Sequence, residues 1–279
     1  SSHSNRDKIT QYVKNIRKVE DKINKPLGIL LDLQGPKLRI GNLKNDELIL
    51  KKGQKVFLKS KTNNMDIKDI PITDDKIFQS IKKNDPIFLD DGKIVIKVIK
   101  STKNKIESKV ISGGILKSNK GINLPGTILK NSPITITDKK NIKLAIKLGI
   151  DWIALSFVQS PRDIKEIKKL CNQNISIMAK IEKPSALNHI EEITRTADGI
   201  MIARGDLGIE LPIFDVPGWQ KKIIREARDQ GKPVVVSTQM LESMVSSTTP
   251  TRAEVSDVAT AVFEGADAVM LSAESAIGN

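Results

Sequence analysis

The chain has 279 residues, 39% of them hydrophobic and 28% charged, with 46 Lys and Arg against 33 Asp and Glu for a formal net charge of +13. That balance belongs to a globular protein with a real core, large enough for one big domain or two ordinary ones, and not to a disordered chain. No apolar run approaches the ~20 residues that cross a bilayer, so no membrane partner is expected. The Lys residues are dispersed among Asn and Ile, and aromatics are only 3%. The excess charge therefore reads as solvated surface, and no nucleic-acid partner is expected. The single Cys171 cannot form an internal disulfide, which suits a reducing, cytoplasmic setting. Ser1 is not an initiator Met and no signal peptide follows it, so Ser1 reads as a position inside a longer protein.

Residues 7–25 carry Ile9, Val13, Ile16, Val19 and Ile23 at helical spacing, with Pro26 beyond them, which predicts an amphipathic helix with a stop signal. The continuous apolar run Leu27–Leu33 is of the kind found in buried parallel strands. Between 37 and 130 the texture changes to alternating runs at Glu47–Leu50, Lys55–Leu58, Ile87–Leu89, Lys93–Ile99 and Ile106–Ile111, with Asp91-Gly92 as a hairpin signal. This stretch predicts a separate small β domain.

From about 133 onward strands alternate with helices. The strand candidates are Ile150–Phe157, Ile175–Lys180, Gly199–Ala203, Pro233–Thr238 and Ala268–Ser272. Ser160-Pro161 opens one helix as N-cap and first-turn proline, and Thr251-x-x-Glu254 opens another as a capping box that Gly265 closes. Alternation of this kind implies a parallel sheet. Six such strands are visible where a closed (β/α)₈ barrel has eight. An open doubly wound sheet is the alternative, but no Gly-x-Gly-x-x-Gly turn supports it. The expected fold is α/β, an incomplete (β/α)₈ TIM-type barrel with an inserted all-β lid. Residues 1–36 and 131–279 form the barrel and 37–130 the lid.

Barrels of this kind place functional groups at the carboxyl ends of strands. Lys180 and Glu182 end one strand two residues apart, and strand periodicity sends both to one face. Alone, the pair could equally be a structural ion pair. Asp206 follows Gly205 at the next strand end, where a tight turn and helix cap is the plainer reading. Together Glu182 and Asp206 form a carboxylate pair suited to Mg²⁺, which keeps waters and needs few protein ligands. Ser237-Thr238 and Ser272-Ala273-Glu274 put further polar groups at two more strand ends.

Several of these segments resemble the signatures of the pyruvate kinase family. They are Lys180-Ile181-Glu182, Ala203-Arg204-Gly205-Asp206-Leu207-Gly208, the run from Thr238 to Met244, Pro250-Thr251-Arg252-Ala253-Glu254, and Gly265-Ala266-Asp267 through Ser272. Upstream, Leu31-Asp32-Leu33-Gln34-Gly35-Pro36-Lys37-Leu38-Arg39, Asp90-Asp91-Gly92 and Lys120-Gly121-Ile122-Asn123 fit as well. The matches run in order along essentially the whole chain. The resemblance implies phosphoryl transfer from phosphoenolpyruvate to ADP, giving pyruvate and ATP, with Mg²⁺ (or Mn²⁺) as the divalent ion and a homotetrameric assembly.

It also implies residue roles. Lys180, Thr238 and Arg39 are catalytic. Lys180, Gly205, Asp206 and Thr238 bind substrate, with the Gly205 and Asp206 amides receiving a carboxylate. Glu182 and Asp206 hold Mg²⁺. His3, Arg39, Asp91 and Lys120 contact nucleotide. The monovalent-cation position falls on Ser2, Asp32 and Leu33, and Lys37 stands where K⁺-dependent members carry an acid. This resembles the K⁺-independent branch, in which a fixed ammonium supplies the ion's charge, so K⁺ is not expected to be required.

The chain departs from the family pattern at both ends. Two barrel strands that would precede Ser1 and a further domain that would follow Asn279 lie outside it, Ser4 replaces a Gly, and Ile277 stands where many relatives have Lys. From these departures the piece alone is expected to be weak or inactive. Two rival readings are another Mg²⁺-dependent barrel acting on phosphoenolpyruvate or pyruvate, such as an aldolase, and a non-catalytic remnant that binds acidic partners.

Overall fold

The computed structural model describes residues 6–60, 66–127, 132–172 and 175–278, which fall into two compact units. The first comprises residues up to Pro36, Ser132–Gly208 and Ile213 onward; the second comprises Lys37–Asn131 with Ile209–Pro212. Nothing in the sequence pattern marks 209–212 as part of the second unit.

The first unit opens with α1 (Arg6–Ile23), which ends where Asn24 turns left-handed at φ 50° before Pro26. Only Ile9 and Val13 of its predicted stripe are buried, while Val19 and Ile23 remain exposed. Strand β1 (Leu30–Asp32) is shorter than the apolar run that predicts it. Residues 27–29 lead in without ladder pairing, and the Leu27 and Ile29 N–H groups donate to Glu20 and Asp151 carboxylates instead.

The second unit contains β2 (Glu47–Leu50), β3 (Lys55–Ser60), β4 (Asp69–Ile72), the single turn α2 (Ile77–Ser80), β5 (Pro86–Leu89), β6 (Ile94–Ser101), β7 (Lys105–Ser112), β8 (Gly114–Lys117) and β9 (Ile122–Asn123). They form a six-stranded sheet of order β4-β3-β7-β6-β5-β9 and a separate β2-β8 pair. Alternation sends Val56, Leu58, Ile94, Ile96, Val98, Ile106 and Val110 into one apolar cluster. Each such side chain contributes ~1.5–3 kcal/mol of burial. The Asp91-Gly92 hairpin joins β5 to β6, and it is made by three consecutive left-handed residues, Asp90, Asp91 and Gly92.

The first unit then continues with α3 (Ile136–Leu148), β10 (Trp152–Leu155), α4 (Pro161–Leu170), β11 (Ser176–Ile181), α5 (Pro184–Leu187), α6 (Ile190–Thr196), β12 (Gly199–Ala203), α7 (Arg204–Glu210), α8 (Val216–Asp229), β13 (Val234–Ser237), α9 (Arg252–Glu264), β14 (Ala268–Met270) and α10 (Ala273–Ala276). Helix ends follow the sequence signals. Glu254 and Thr251 exchange capping bonds at the start of α9, and Gly265 closes it at φ 99°.

Six strands run parallel in the order β1-β10-β11-β12-β13-β14. This is the α/β fold of a partial (β/α)₈ barrel. One face is fully covered and the other partly so, in keeping with the near-continuous apolar runs. One face carries Ile153, Leu155, Ile177, Ala179, Ile181, Ile200, Ile202, Val234 and Val236, all fully buried. On the other, Leu30, Trp152, Ala154, Met178, Met201, Val235 and Met270 pack together. Two residues further along, the same strand parity turns polar, to Asp32 after Leu30, Ser156 after Ala154, and Lys180 then Glu182 after Met178. The site sits on that polar continuation.

Candidate active site

Lys180 sits at the centre. Its ammonium donates to Asp32 Oδ1 at 3.1 Å, to Ser156 Oγ at 2.9 Å and to Glu182 Oε1 at 2.9 Å. The partners come from the ends of β1, β10 and β11, three neighbouring strands whose register aligns them. Ser156 Oγ donates its own hydrogen bond to the Leu33 carbonyl at 2.8 Å, which leaves its lone pairs for Lys180. The side chains of Lys180 and Glu182 are 13% and 1% exposed, so solvent screens this pair only weakly. Burial by itself would pull the Lys180 pKa down, but the carboxylates of Glu182 and Asp32 outweigh it and raise the pKa. The group is a fixed cation.

Glu182 is fastened at both oxygens. Oε1 faces Lys180 and Oε2 accepts the Phe157 N–H at 2.7 Å. Phe157 delivers that N–H because it is left-handed, at φ 57°. The predicted strand Ile150–Phe157 is therefore paired only over β10, and Phe157 turns away from it. An αL residue other than Gly costs ~1–2 kcal/mol, the kind of strain that collects at functional sites. Opposite, a Cβ on Gly35 would lie 2.8 Å from the Phe157 ring, so the absent side chain there is required for the turn to fit. Burial raises the Glu182 pKa; Lys180 opposes this and the nearby Asp206 carboxylate adds to it.

Thr238 and Gly205 meet at the ends of β13 and β12. The Gly205 N–H donates to Thr238 Oγ1 at 2.7 Å, and that hydroxyl donates to the Ser237 carbonyl at 2.6 Å. The predicted anion-receiving amide of Gly205 thus has a hydroxyl partner in this state. A Cβ on Gly205 would approach Thr238 Oγ1 to 3.2 Å, so a larger residue would push the hydroxyl aside. Thr238 and Gln239 are both left-handed, at φ 70° and 54°.

Glu182 and Asp206 fit a hard divalent ion. Two carboxylates close enough for one to raise the pKa of the other repel, and a cation between them would relieve that repulsion. Among the described residues there is no group of three or more His, Cys, Asp or Glu side chains placed to hold a metal, so the remaining ligands would be water or substrate oxygens.

The second unit holds three of the predicted nucleotide residues, Arg39, Asp91 and Lys120. Arg39 bridges to Gly121 across the chain, with Nη1 donating to the Asn119 carbonyl at 3.1 Å. Lys120 pairs with Asp90 Oδ1 at 2.8 Å; the hydrogen bond raises the Lys120 pKa and lowers that of Asp90. A Cβ on Gly121 would lie 3.6 Å from Asp91 Oδ1 and 3.8 Å from Lys37 Cε, so Lys37, Asp91, Lys120 and Gly121 share one corner of the unit. Leu33 is fully buried and contributes only its carbonyl to Ser156. Ser2 and His3 lie outside the described residues.

The sequence pattern gives no role to Ser156 or the Phe157 amide, and it carries Asp90 and Arg204 only as members of the Asp90-Asp91-Gly92 and Ala203–Gly208 segments. Ser156 carries a readable signal of its own, since it shares strand parity with Ala154.

A lysine ammonium framed by carboxylates at the strand ends of a parallel barrel defines an enzyme-like, anion-handling (β/α) site. Comparison with known proteins makes the class specific. The sequence profile of the family described as "Pyruvate kinase, barrel domain" matches residues 1–279, and the chain belongs to that family. It is 48% identical over 278 residues to a pyruvate kinase of Agrobacterium vitis, covering 99% of this chain and 59% of the relative. To a pyruvate kinase of Thermococcus litoralis it is 42% identical over 280 residues, covering 99% and 59%. A crystal structure of a pyruvate kinase from Cryptosporidium parvum superposes with a TM-score of 0.96 at 33% identity, over 100% of this chain and 59% of that one. The chain thus spans somewhat over half the length of these relatives.

Proposed function

We propose that this chain carries the active site for phosphoryl transfer from phosphoenolpyruvate to ADP, producing pyruvate and ATP. The observation that carries the reading is Lys180, a largely buried cation held by Asp32, Ser156 and Glu182, with the Thr238–Gly205 pair at the ends of the strands that follow. The family membership and the relatives' names support the same reaction.

Phosphoryl transfer asks little covalent chemistry of a protein and much positioning of charge. Lys180, pre-paired so that its ammonium cannot swing away, stabilises negative charge on the transferring group. The Gly205 and Asp206 amides hold the substrate carboxylate, for which Gly205 must exchange its bond to Thr238. Thr238, whose hydroxyl donates to the Ser237 carbonyl in this state, turns that proton toward the enolate carbon. Glu182 and Asp206 would hold Mg²⁺ (or Mn²⁺), which would supply charge neutralisation as phosphate leaves the substrate. On the second unit Arg39, Asp91 and Lys120, together with His3, bind the nucleotide. Lys120 leaves Asp90 to do so.

Lys37 supplies the charge that a monovalent cation brings to other members at the position of Ser2, Asp32 and Leu33, so K⁺ is not required. The protein at its natural length acts as a cytoplasmic homotetramer. Among the described residues no helix is long and apolar enough to cross a membrane.

A lactate-dehydrogenase-coupled assay with phosphoenolpyruvate, ADP and Mg²⁺ tests the reading. Pyruvate formation that stops with Lys180→Ala supports it. No pyruvate from the protein at its natural length rejects it.

A further inference from the structure

The guanidinium of Arg204, only 12% exposed, has no place in the substrate chemistry outlined above, yet it is the most heavily bonded side chain near the site. Nε and Nη2 both donate to the Thr238 carbonyl, at 3.3 and 2.9 Å. Nη2 also reaches the Gln239 carbonyl at 3.0 Å and Met240 Sδ at 2.9 Å. Nη1 pairs with Asp257 Oδ1 on α9 at 2.7 Å and lies 3.5 Å from Gln220 Oε1 on α8. The two carbonyls it grips belong to Thr238 and Gln239, both left-handed without being glycine.

The geometry points to Arg204, anchored by Asp257, as a positioning residue that holds the strained Thr238–Gln239 turn and thereby fixes the Thr238 hydroxyl for proton delivery to the enolate. This rests on the proposed reaction. A threonine prefers extended or right-handed backbone, so the left-handed turn needs an external hold. Its relaxation would swing the Cβ and carry Oγ1 away from Gly205. A guanidinium holds two successive carbonyls and one carboxylate in the fixed directions of its planar five-donor fork, a geometry that the compact ammonium of a lysine does not reproduce. Asp257 balances the charge, so that the grip does not place an unpaired cation against the substrate site. Because Arg204 directly precedes Gly205, one residue holds the backbone on both sides of the Thr238–Gly205 contact until substrate takes the Gly205 amide.

The test is a double-mutant cycle with Arg204→Lys and Thr238→Val in the protein at its natural length. Arg204→Lys is expected to lower kcat about 100-fold, the usual scale of a positioned acid or base, with the KM for phosphoenolpyruvate nearly unchanged. In the Thr238→Val background it should cost no more than about twofold further, since the group it positions is gone. An undiminished loss in that background, or a rise in KM at constant kcat, overturns the inference. Amide hydrogen exchange gives an arm independent of turnover. Protection at Gly205 should fall in Arg204→Lys while residues 177–181 stay protected, and unchanged protection at Gly205 also overturns it. If Arg204→Lys does not fold, Asp257→Asn, which leaves the guanidinium in place, carries both readouts with smaller losses expected in each. A wild-type protein with no turnover would sink the reaction, while the exchange arm would still decide whether Arg204 holds the turn.

Discussion

Asp32 and Lys180 lie 148 positions apart in the chain, yet the carboxylate of one meets the ammonium of the other at 3.1 Å. Parallel register brings them together, since Asp32 aligns with Ala154 and Ala154 with Met178, two residues before Lys180. Asp32 therefore belongs to the holding of Lys180, whatever it does for a monovalent ion. Replacing Asp32 by Asn is expected to lower kcat about 10-fold or more, because the ammonium loses one of its charged guides. Steady-state kinetics checks this, and an unchanged kcat contradicts it.

Metal dependence should follow the two carboxylates. Chelation by EDTA is expected to abolish turnover, and Asp206→Asn to raise the Mg²⁺ concentration for half-maximal rate about 10-fold or more, the scale on which losing a charged ligand weakens a hard-cation site. Titration of activity against Mg²⁺ reads both outcomes.

The charge at Lys37 makes a separate prediction. Activity in Tris or Na⁺ buffer should match that in KCl, and Lys37→Glu should create K⁺ stimulation by restoring a site that needs the ion's charge. A large K⁺ effect on the unaltered protein rules this out.

Glu254 clasps the segment that follows Thr238. Its carboxylate accepts the Ser243 N–H and hydroxyl and the Thr251 N–H and hydroxyl, and these bonds hold its pKa at about 2, against an ordinary 4.5. The folded pKa is depressed, so the stabilisation is fully present above about 4.5 and is lost as pH falls toward about 2. Thermal unfolding of wild type and Glu254→Gln should differ at neutral pH and converge across that window. A gap that persists below pH 2 would show that the clasp does not depend on the ionised carboxylate.

The second unit rests on its apolar cluster. Ile96 is fully buried there, and Ile96→Ala is expected to cost ~2–5 kcal/mol through lost contacts and the cavity left behind. Denaturant melts measure this directly, and a loss under about 1 kcal/mol would mean the cluster can collapse into the space.

Much of this was legible in the sequence. Near-continuous apolar runs gave the parallel strands, the Thr251–Glu254 box gave the start of α9, and strand parity put Lys180 and Glu182 on one face. The partners of Lys180 were not, because parity names a face while the register that aligns β1, β10 and β11 comes from packing. The turns at Phe157 and Thr238 were hidden for another reason. Left-handed backbone usually announces itself through Gly or Asn, and here strain is held by Glu182 on one side and Arg204 on the other. Helix α1 shows the reverse failure, since its apolar stripe predicts more burial than Ile9 and Val13 achieve.

Phosphorus NMR of the protein at its natural length, mixed with phosphoenolpyruvate, ADP and Mg²⁺, tests the central claim most directly. The account predicts that the phosphoenolpyruvate signal decays as the γ-phosphate of ATP grows in, and that Lys180→Ala stops both. Decay to free phosphate without ATP, or transfer that survives Lys180→Ala unchanged, would contradict it.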